Sequence, residues 1–337
     1  MGIPGAYKEH KGKVIETDLF EHVMALALNP KDYSEGLIRC ITRRKGTLGI
    51  KGAEDWSILS KVRSVGGLER YELAGTLKIK NEEEIVDRLI SRGLFYIGPE
   101  DPDIFFDSEN GLYHVYFTIP LINRTEKPSH IHLGHASGKN LDSLEMTAPV
   151  LSPTDENPLS AKELSLSPVN KKGIRLNLIE SSDRIGGTKY SVIRRCIARN
   201  FDPPWEFGQV VFHPTHDGYK WCAGHASPGP LFPKSFIDIG KNKLVGIMNG
   251  REANKRKGDK TIYGVFSVGL FIYDFEKGKV DWVSKEPFII DSEAKIITFA
   301  SQFVQTDKKT GILYAHVDDS FVRAYTLYAD AIRQLVD

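Results

Sequence analysis

The stretch with the clearest chemical potential is GPEDPDIFF, residues 98–106, which places two carboxylates side by side and follows them with a proline. A carboxyl group beside a second carboxylate and covered by a ligand has a raised pKa, because the neighbouring charge and the loss of water both disfavour ionisation. Such a group can protonate the leaving oxygen of a glycosidic bond. Pro102 favours an extended conformation for Asp101. The pattern indicates Asp101 as a candidate general acid, although Glu-Asp-Pro also fits an ordinary polar turn.

The composition limits the partners with which these carboxylates could work. The chain has 337 residues, 41% of them hydrophobic, and 45 Lys and Arg against 44 Asp and Glu. It can bury a sizeable core, and its balanced charge gives no general field that attracts nucleic acid or an anionic membrane, although local patches remain open. The first residues lack the apolar core of a signal peptide, and no apolar run approaches the ~18 residues of a spanning helix. We therefore expect a cytoplasmic protein with neither nucleic acid nor a membrane as partner.

Cysteines and histidines give no strong signal for a disulfide or a metal. The cysteines at positions 40, 196 and 222 are widely spaced in apolar stretches, which predicts buried, reduced thiols. His130, His132 and His135 could supply imidazoles to zinc, but the third falls on the other face of a strand. Motifs for nucleotide binding are also missing from the sequence. We therefore predict no metal and no organic cofactor.

Short alternating or β-branched runs, separated by Gly, Asp, Asn and Pro, predict a mostly β protein. A helical pattern is convincing only at residues 81–92 and at Tyr328–Val336, and the stretch Ser152–Pro168 is predicted as a long surface loop. No linker divides the chain, so we expect one domain over residues 1–337. The predicted strands are Gly36–Thr42, Ile104–Phe106, Leu112–Thr118, His130–His135, Ile174–Ile179, Lys189–Arg194, Gln209–His213, Leu244–Met248, Val265–Tyr273 and Leu313–Val317.

A short internal repeat bears on how these strands are arranged. The tetrapeptide Gly-His-Ala-Ser occurs at 134–137 and at 224–227, and HLGHASGKNLDSLE has the order of inner strand, turn and outer strand found in a propeller blade. Closure into a propeller removes exposed sheet edges, which favours this fold over a pair of β-sandwiches, the alternative. Innermost strands of a propeller converge on a central funnel that suits a small sugar. The basic run 251–260 (REANKRKGDK) is predicted as an exposed loop near the funnel mouth.

The acid motif resembles the Glu-Asp-Pro-Arg motif of glycoside hydrolase family 130, whose five-bladed β-propellers include β-mannoside phosphorylases and β-mannosidases. This resemblance continues in order along nearly the whole chain and implies an all-β, five-bladed propeller. It also implies an inverting enzyme that cleaves β-mannosides or related glycosides by hydrolysis or phosphorolysis. The further similar segments are Asn29-Pro30 with 36–43, residues 60–67, HIHLGHASGKNLDSLE from His130, residues 187–195, Ser227–Pro230 with 244–250, and LYAHVDDSFVRAY from Leu313.

The resemblance implies roles for particular residues. Asp101 takes the place of the family's acid, which is thought to act through a sugar hydroxyl. Beside Arg44 and Lys45, Arg43 also fits a solvated basic run. Short polar and charged side chains hold sugar hydroxyls through hydrogen bonds. The residues implied to bind the sugar are Asn29, Arg43, Lys61, Glu100 and Asp318.

Hydrolysis and phosphorolysis differ in the second reactant that the site must hold. A phosphorylase needs cations for a phosphate dianion, whereas a hydrolase needs a carboxylate that activates water. The resemblance implies Arg195 (or its neighbour Arg194), Lys234 and Asn249 as phosphate-binding residues, and Asn249 replaces a family histidine, which counts against phosphorolysis. Glu252 and Glu206 are the candidate bases for hydrolysis. The sequence leaves both reactions open.

One departure from the family motif keeps two further functions open. Asp103 stands where the family has an arginine, which removes a cation from the site and adds a negative charge beside Asp101. A non-catalytic carbohydrate-binding propeller with a decayed site is one alternative. An arabinanase-like glycosidase, with three acids spread over separate blades, is the other. The expected partner is a small oligosaccharide, with inorganic phosphate in the case of a phosphorylase, and a homo-oligomer remains open.

Overall fold

The computed structural model describes residues 5–50, 52–91, 93–124, 129–154, 159–215 and 218–336. Within these ranges the chain forms twenty-three strands and two α-helices, α1 (Glu82–Leu89) and α2 (Ala329–Val336). Both helices lie where the sequence predicts them, and Arg92, at the end of the first predicted helix, lies outside the described residues. No helix in the described ranges is long and apolar enough to cross a membrane.

The strands follow one another in short antiparallel groups. In chain order they are β1 (Tyr7–Glu9), β2 (His22–Leu28), β3 (Glu35–Lys45), β4 (Glu54–Ser64), β5 (Tyr71–Thr76), β6 (Leu94–Tyr96), β7 (Glu100–Asp107), β8 (Leu112–Asn123), β9 (His130–Gly138), β10 (Glu145–Met146), β11 (Lys162–Ser165), β12 (Arg175–Ile185), β13 (Thr188–Ala198), β14 (Glu206–Phe212), β15 (His225–Leu231), β16 (Lys243–Arg251), β17 (Lys255–Lys257), β18 (Lys260–Ile262), β19 (Phe266–Asp274), β20 (Lys279–Val283), β21 (Thr298–Gln305), β22 (Thr310–Val317) and β23 (Phe321–Tyr328). Every strand predicted from the sequence overlaps one of these.

Twenty of the strands build five four-stranded blades around a central funnel. From the inside outwards, blade 1 is β2-β3-β4-β5, blade 2 is β7-β8-β9-β10, blade 3 is β11-β12-β13-β14, blade 4 is β15-β16-β19-β20 and blade 5 is β21-β22-β23-β1. Each innermost strand contacts the next, and β21 of blade 5 contacts β2 of blade 1, so the ring is closed. The predicted all-β, five-bladed β-propeller is therefore confirmed.

Among the described residues, five large apolar clusters form the core, one between each pair of neighbouring blades, and a small sixth cluster lies within blade 1. Between blades 1 and 2, for example, Leu37 and Leu59 pack with Val115 and Phe117. Because both faces of a middle strand are covered in this way, β8 is buried over most of its length and reads as a nearly continuous apolar run. The three cysteines are buried and unpaired, as predicted.

Two predictions about the inner strands are wrong. The repeated tetrapeptide lies in β9, the third strand of blade 2, at 134–137, but at the start of the innermost strand β15 of blade 4 at 224–227. It therefore does not mark equivalent positions in two blades. The predicted surface loop Ser152–Pro168 contains β11, the innermost strand of blade 3, and residues 155–158 of it lie outside the described residues. This strand has only four residues, Lys-Glu-Leu-Ser, too few and too polar for a strand pattern.

Candidate active site

Three innermost strands carry the same irregularity close to their start. The pairing register with the second strand shifts after Met24 in β2, after Glu100 in β7 and after Lys162 in β11. The bulged residues with positive φ are Ala25 (52°), Asp101 (46°) and Glu163 (52°). This backbone conformation is strained for most residues other than glycine and is concentrated at functional sites. The shared bulge places Ala25, Asp101 and Glu163 at equivalent positions of blades 1, 2 and 3.

The carboxyl groups of Asp101 and Glu163 lie close enough to act on each other's ionisation. Burial, followed by the charge of Asp101, raises the pKa of Glu163 well above its ordinary value. Burial opposes the ionisation of Asp101, but the charges of Arg39 and Lys162 outweigh it and lower the pKa of this carboxyl. The two shifts have opposite directions, so of this pair Glu163 is the carboxyl that retains a proton to higher pH, while Asp101 is the one that ionises first.

The cation that holds this pair in place comes from blade 1. Arg39 lies in β3, is 7% exposed, and donates from Nη1 to Asp101 Oδ1 (3.1 Å) and from Nη2 to Glu100 Oε1 (2.5 Å). Burial nevertheless raises the pKa of Glu100 to about 7. Arg39 thus supplies a positive charge beside the acids although position 103, an arginine in the resembling family, holds an aspartate here.

A second charged group extends the site into blades 3 and 4. Lys162 Nζ lies 3.5 Å from Glu180 Oε1, and His225 Nε2 lies 3.0 Å from Glu180 Oε2. Burial alone would raise the pKa of Glu180, but His225 and Lys162 lower it below its ordinary value. Burial lowers the pKa of His225, so a neutral imidazole donates to an ionised Glu180 at pH 7. We refer to Glu100, Asp101, Asp103, Glu163 and Glu180 as the carboxyl cluster.

Aromatic rings line blades 4 and 5 of the same region. The ring of Phe266 lies 4.9 Å from that of His225 and 5.9 Å from that of Phe299, and Phe299 stacks on His316 at 5.0 Å. The guanidinium of Arg251 lies over Tyr263, 4.7 Å from the ring centroid. Aromatic side chains combine a large apolar surface with defined geometry, which suits packing against a sugar ring. We call Tyr263, Phe266, Phe299 and His316 the aromatic wall.

Asp103 gives the site a testable dependence on pH. Burial raises the pKa of Asp103 to about 8, so the folded protein holds a proton here that the unfolded chain releases above its ordinary pKa. The free energy of unfolding therefore falls as pH rises from 5 to 8. We expect Asp103→Asn to remove this loss, with a stabilisation that grows by about 3–4 kcal/mol between pH 5 and pH 8 in urea unfolding. Asp87→Asn, at an exposed position of α1, is the control, and an equal effect of Asp103→Asn at both pH values would contradict the assignment.

Among the predicted site residues, Glu100 and Asp101 lie in the carboxyl cluster, and two predicted sugar ligands lie away from it. Asn29 follows β2 at the end opposite to Asp101, where its Oδ1 accepts from the backbone N–H of Lys31 (2.9 Å). Lys61 forms an ion pair with Asp142 of blade 2 at 2.5 Å. Their observed contacts are those of a turn and of a link between blades.

Arg43 also lies outside the cluster, while the next residue lies closer to it. The guanidinium of exposed Arg43 lies 4.7 Å from the ring centroid of Trp56. Arg44 forms a two-pronged ion pair with Asp55, at 2.8 and 2.7 Å. The charge of Asp55 in turn acts on the guanidinium of Arg39. The structure therefore connects Arg44 rather than Arg43 to the acid pair.

At Asp318, as at Arg43, the residue that faces the site is the one after the predicted residue. The carboxylate of Asp318 accepts the backbone N–H groups of residues 296 and 297, both at 2.9 Å, and so fixes the segment before β21. Asp319 Oδ1 lies 3.1 Å from His316 Nε2. Burial opposes the ionisation of Asp319, but His316 and Arg39 lower its pKa. Asp319 is thus the acid that blade 5 adds to the site.

The predicted phosphate ligands are engaged elsewhere. Arg195 donates to a backbone carbonyl of the β19–β20 turn (3.2 Å) and to Gln209 (3.3 Å). Lys234 donates to backbone carbonyls, one of them at 2.7 Å. The buried amide of Asn249 donates to Ala300 O (2.9 Å) and accepts from Ala300 N (2.8 Å), which ties blade 4 to blade 5. None of these described contacts brings the three residues to the acid pair.

The two predicted bases are peripheral in their contacts. Glu206 is exposed at the start of β14, the outermost strand of blade 3. Glu252 lies 3.6 Å from Lys255, and its side chain is 42% exposed. Within the described residues, no hydrogen bond or ion pair links either glutamate to the carboxyl cluster.

The residues that sequence reasoning missed are those that complete the site around Asp101. Arg39 lies within GLIRCITR, a segment similar to the family, but the resemblance implies Arg43 as the sugar ligand of this segment. Glu180 and His225 carry no motif of their own. Lys162 and Glu163 lie in the predicted loop. The sequence feature that could have identified Glu163 is the presence of another acidic residue one blade after Glu100 and Asp101. The missed residues are Arg39, Lys162, Glu163, Glu180, His225 and Arg251.

Comparison with known proteins places this geometry on a recognised architecture. No protein-family model matches the sequence, and no curated protein matches it. The structure is similar to a β-1,2-mannobiose phosphorylase from Listeria innocua in complex with β-1,2-mannobiose, with TM-score 0.62 and 12% identity over 100% of this chain and 95% of that one. It is also similar to a mannose phosphorylase from Leishmania mexicana in complex with phosphate (TM-score 0.56, 14% identity, 97% and 91% covered). A third similar structure is that of an α-L-arabinofuranosidase from Lactobacillus brevis, with TM-score 0.54 and 9% identity over 92% of this chain and 91% of that one.

These likenesses define the class of fold. The chain is a β-propeller of the architecture found in glycoside phosphorylases and glycoside hydrolases. The predicted resemblance to the mannoside phosphorylases is thereby confirmed at the level of structure, at low sequence identity.

Proposed function

We propose that this protein is a carbohydrate-active enzyme that cleaves β-mannosides or related glycosides, with the pair Asp101 and Glu163 at its reacting centre. The observation that carries the proposal is this pair of partly buried carboxyl groups, which lie at equivalent positive-φ bulges of adjacent blades with Arg39 donating to Asp101. The aromatic wall beside the cluster suits the apolar face of a sugar ring. The structural similarity to a phosphorylase solved with β-1,2-mannobiose supports a β-mannoside as substrate.

In this proposal the two acids have different tasks. Glu163, protonated at neutral pH, donates its proton to the leaving oxygen, directly or through a sugar hydroxyl. Asp101 stays ionised because Arg39 and Lys162 stabilise its charge, and it faces the positive charge that develops on the sugar in the transition state. This division differs from the sequence-based expectation, in which Asp101 itself carries the proton.

Hydrolysis is the reaction that the contacts favour. The three residues predicted to bind phosphate are committed to other contacts. Glu180 is buried and ionised, so it can serve as the base that activates water. A base and an acid on opposite faces of the sugar invert the anomeric carbon. Phosphorolysis is the second candidate, because Arg251, which lies opposite His225 and donates to Asn254 and to Gly224 O (3.2 Å), has no carboxylate within 4.0 Å among the described residues.

The test measures the products formed from a panel of β-mannosides, with and without inorganic phosphate. We expect mannose release that does not depend on phosphate and that falls at least ~100-fold in Asp101→Asn. The matched control is Asp87→Asn on the exposed face of α1, which should leave the rate unchanged. Phosphate-dependent formation of mannose 1-phosphate would instead establish the phosphorylase.

A binding protein without turnover is supported by one feature of blade 1. The bulge position that is acidic in blades 2 and 3 is Ala25 in blade 1, so an arabinanase-like set of three acids is incomplete. Sugar binding measured by calorimetry, together with no product from any mannoside in either condition, would establish this alternative and overturn the enzymatic proposal.

A further inference from the structure

The basic run 251–260, which the proposed reaction uses only at its first residue, forms part of a positively charged surface. Strands β17 and β18 pair as a hairpin, with Lys257 opposite Lys260. A second hairpin, β12–β13 of blade 3, adds cations at its tip. We call these cations the basic rim: Arg184, Lys189, Lys255, Arg256, Lys257 and Lys260.

The hairpin β17–β18 lies at the funnel mouth. It connects the end of β16 to the start of β19, and Arg251 and Phe266 at these two positions belong to the site. At its far side Ile262 pairs with Ile50, and Tyr263 N donates to Gly49 O (2.8 Å) in the β3–β4 turn of blade 1. The hairpin therefore reaches from blade 4 past blade 5 to blade 1, at the end where the innermost strands begin.

The second hairpin borders the same site from blade 3. Lys189, at the start of β13, acts electrostatically on Glu180 and Lys162. Ser191 of the same strand pairs with His225 at the start of blade 4. The cations of both hairpins thus surround the carboxyl cluster on the sides of blades 3, 4 and 5.

The charges of the rim are mostly unpaired. Lys255 lies 3.6 Å from Glu252, whereas the other five cations have no carboxylate within 4.0 Å among the described residues. The whole chain has a net charge of only +1, so the excess is local to this end. Unpaired like charges on one surface repel each other, and a bound anion relieves that repulsion.

We propose that the basic rim binds an anionic group, a carboxylate or a phosphate, on a sugar unit outside the bond that is cleaved. The two regions differ in charge, because Arg39 and Lys162 offset the acids at the floor of the funnel, whereas the rim carries a surplus of cations that attracts anions. A substrate with a neutral sugar ring at the floor of the funnel and a negatively charged sugar unit at the rim would match the charge of both regions. The proposal rests on the proposed function for the nature of the substrate, but binding alone tests it.

The experiment compares matched probes by isothermal titration calorimetry. One pair is β-1,4-mannotetraose and β-1,4-tetramannuronate, which differ in the carboxylate at C6. The other pair is mannose and mannose 6-phosphate, which tests a phosphate source. At an ionic strength of about 0.05 M we expect the charged member of at least one pair to bind about tenfold more tightly, and the advantage to shrink at about 0.5 M.

Two triple variants make the test specific to the rim. R256Q/K257Q/K260Q should remove most of the preference for the charged probe and leave the Kd of the neutral probe unchanged. K171Q/K172Q/K308Q removes three exposed cations from turns that follow the innermost strands at the opposite end, and it should keep the preference. Both variants lower the net charge equally, so only position distinguishes them.

The outcomes separate this inference from the proposed reaction. Equal affinity for both members of each pair, a preference that survives R256Q/K257Q/K260Q, or an equal loss in both variants would overturn the role of the rim. A preference lost only in the rim variant supports it, even if no mannoside is turned over. Turnover of neutral mannosides without any preference for charge would leave the proposed function intact and remove this inference alone.

Discussion

Glu163→Gln is expected to lower kcat/KM for an alkyl β-mannoside by about 10³-fold, because an alkoxide cannot leave without a proton. For 4-nitrophenyl β-mannoside the loss should stay below about tenfold, since nitrophenolate is stable without protonation and needs little acid assistance. The comparison uses steady-state kinetics on both substrates. The native enzyme should also lose activity as pH rises through the raised pKa of Glu163, and this alkaline limb should be missing from the variant.

The control for this prediction is Glu72→Gln, at an exposed position of the outermost strand of blade 1, which should keep both rates. A loss of equal size for both leaving groups would show that Glu163 acts through the architecture of the site and does not deliver the proton. A retained alkaline limb in Glu163→Gln would assign the proton to another group, with Asp101 the first to examine.

Arg39→Met is expected to lower the free energy of unfolding at pH 7 by about 3–5 kcal/mol, because it leaves the ionised Asp101 buried without its cation and removes the partner of Glu100. The loss should shrink at pH 5. Without Arg39 the pKa values of both carboxyls rise, so acidification protonates them in the folded state and relieves the unpaired charge. Urea unfolding at the two pH values measures both effects.

Two further variants define what Arg39 contributes. Arg63→Met removes an exposed arginine from the neighbouring strand β4 and should change stability by less than about 0.5 kcal/mol. Arg39→Lys keeps the positive charge, but an ammonium group cannot bind Glu100 and Asp101 at once as the planar guanidinium does. The free energy of unfolding of Arg39→Lys should therefore lie between those of Arg39→Met and the native chain. A destabilisation by Arg39→Met that is the same at pH 5 and pH 7 would mean that lost packing, and not charge, is responsible.

The middle strands of the blades could be predicted from sequence, whereas most innermost strands could not. β8 is buried on both faces between blades and carries Val, Ile, Phe and Tyr, so its pattern is clear. β15 contains two prolines, and its sequence does not predict a strand. Proline is tolerated there because the innermost strand is an edge of its sheet, with one side free of ladder hydrogen bonds. β11 has four residues, which is too short for any period.

In the candidate site, residues that are adjacent in sequence could be predicted, whereas residues that come together from distant parts of the chain could not. Glu100 and Asp101 could be found because they are adjacent and belong to one motif. Arg39 lies 62 residues before Asp101 and reaches it only through the ring of blades. Glu163 has a positive φ, which its residue type does not predict, because glycine, asparagine and aspartate are the residues that adopt this conformation readily. Its equivalence to Asp101 is a property of the backbone bulge, and the sequence shows only that an acidic residue follows in the next blade.

Ring closure by β1 has a consequence for how the protein reaches this state. Tyr7 pairs with Leu327, so blade 5 joins the first described strand to the last and has the largest sequence separation in the molecule. Contacts of this kind form late, because the chain loses loop entropy before they contribute any stability. The contact of Arg44 with Asp319 O (2.9 Å) crosses the same junction between blades 1 and 5. On the growing chain, blades 1 to 4 can therefore form while the funnel is still open, and the acids gain their neighbours from blade 5 only when that blade closes the ring against blade 1.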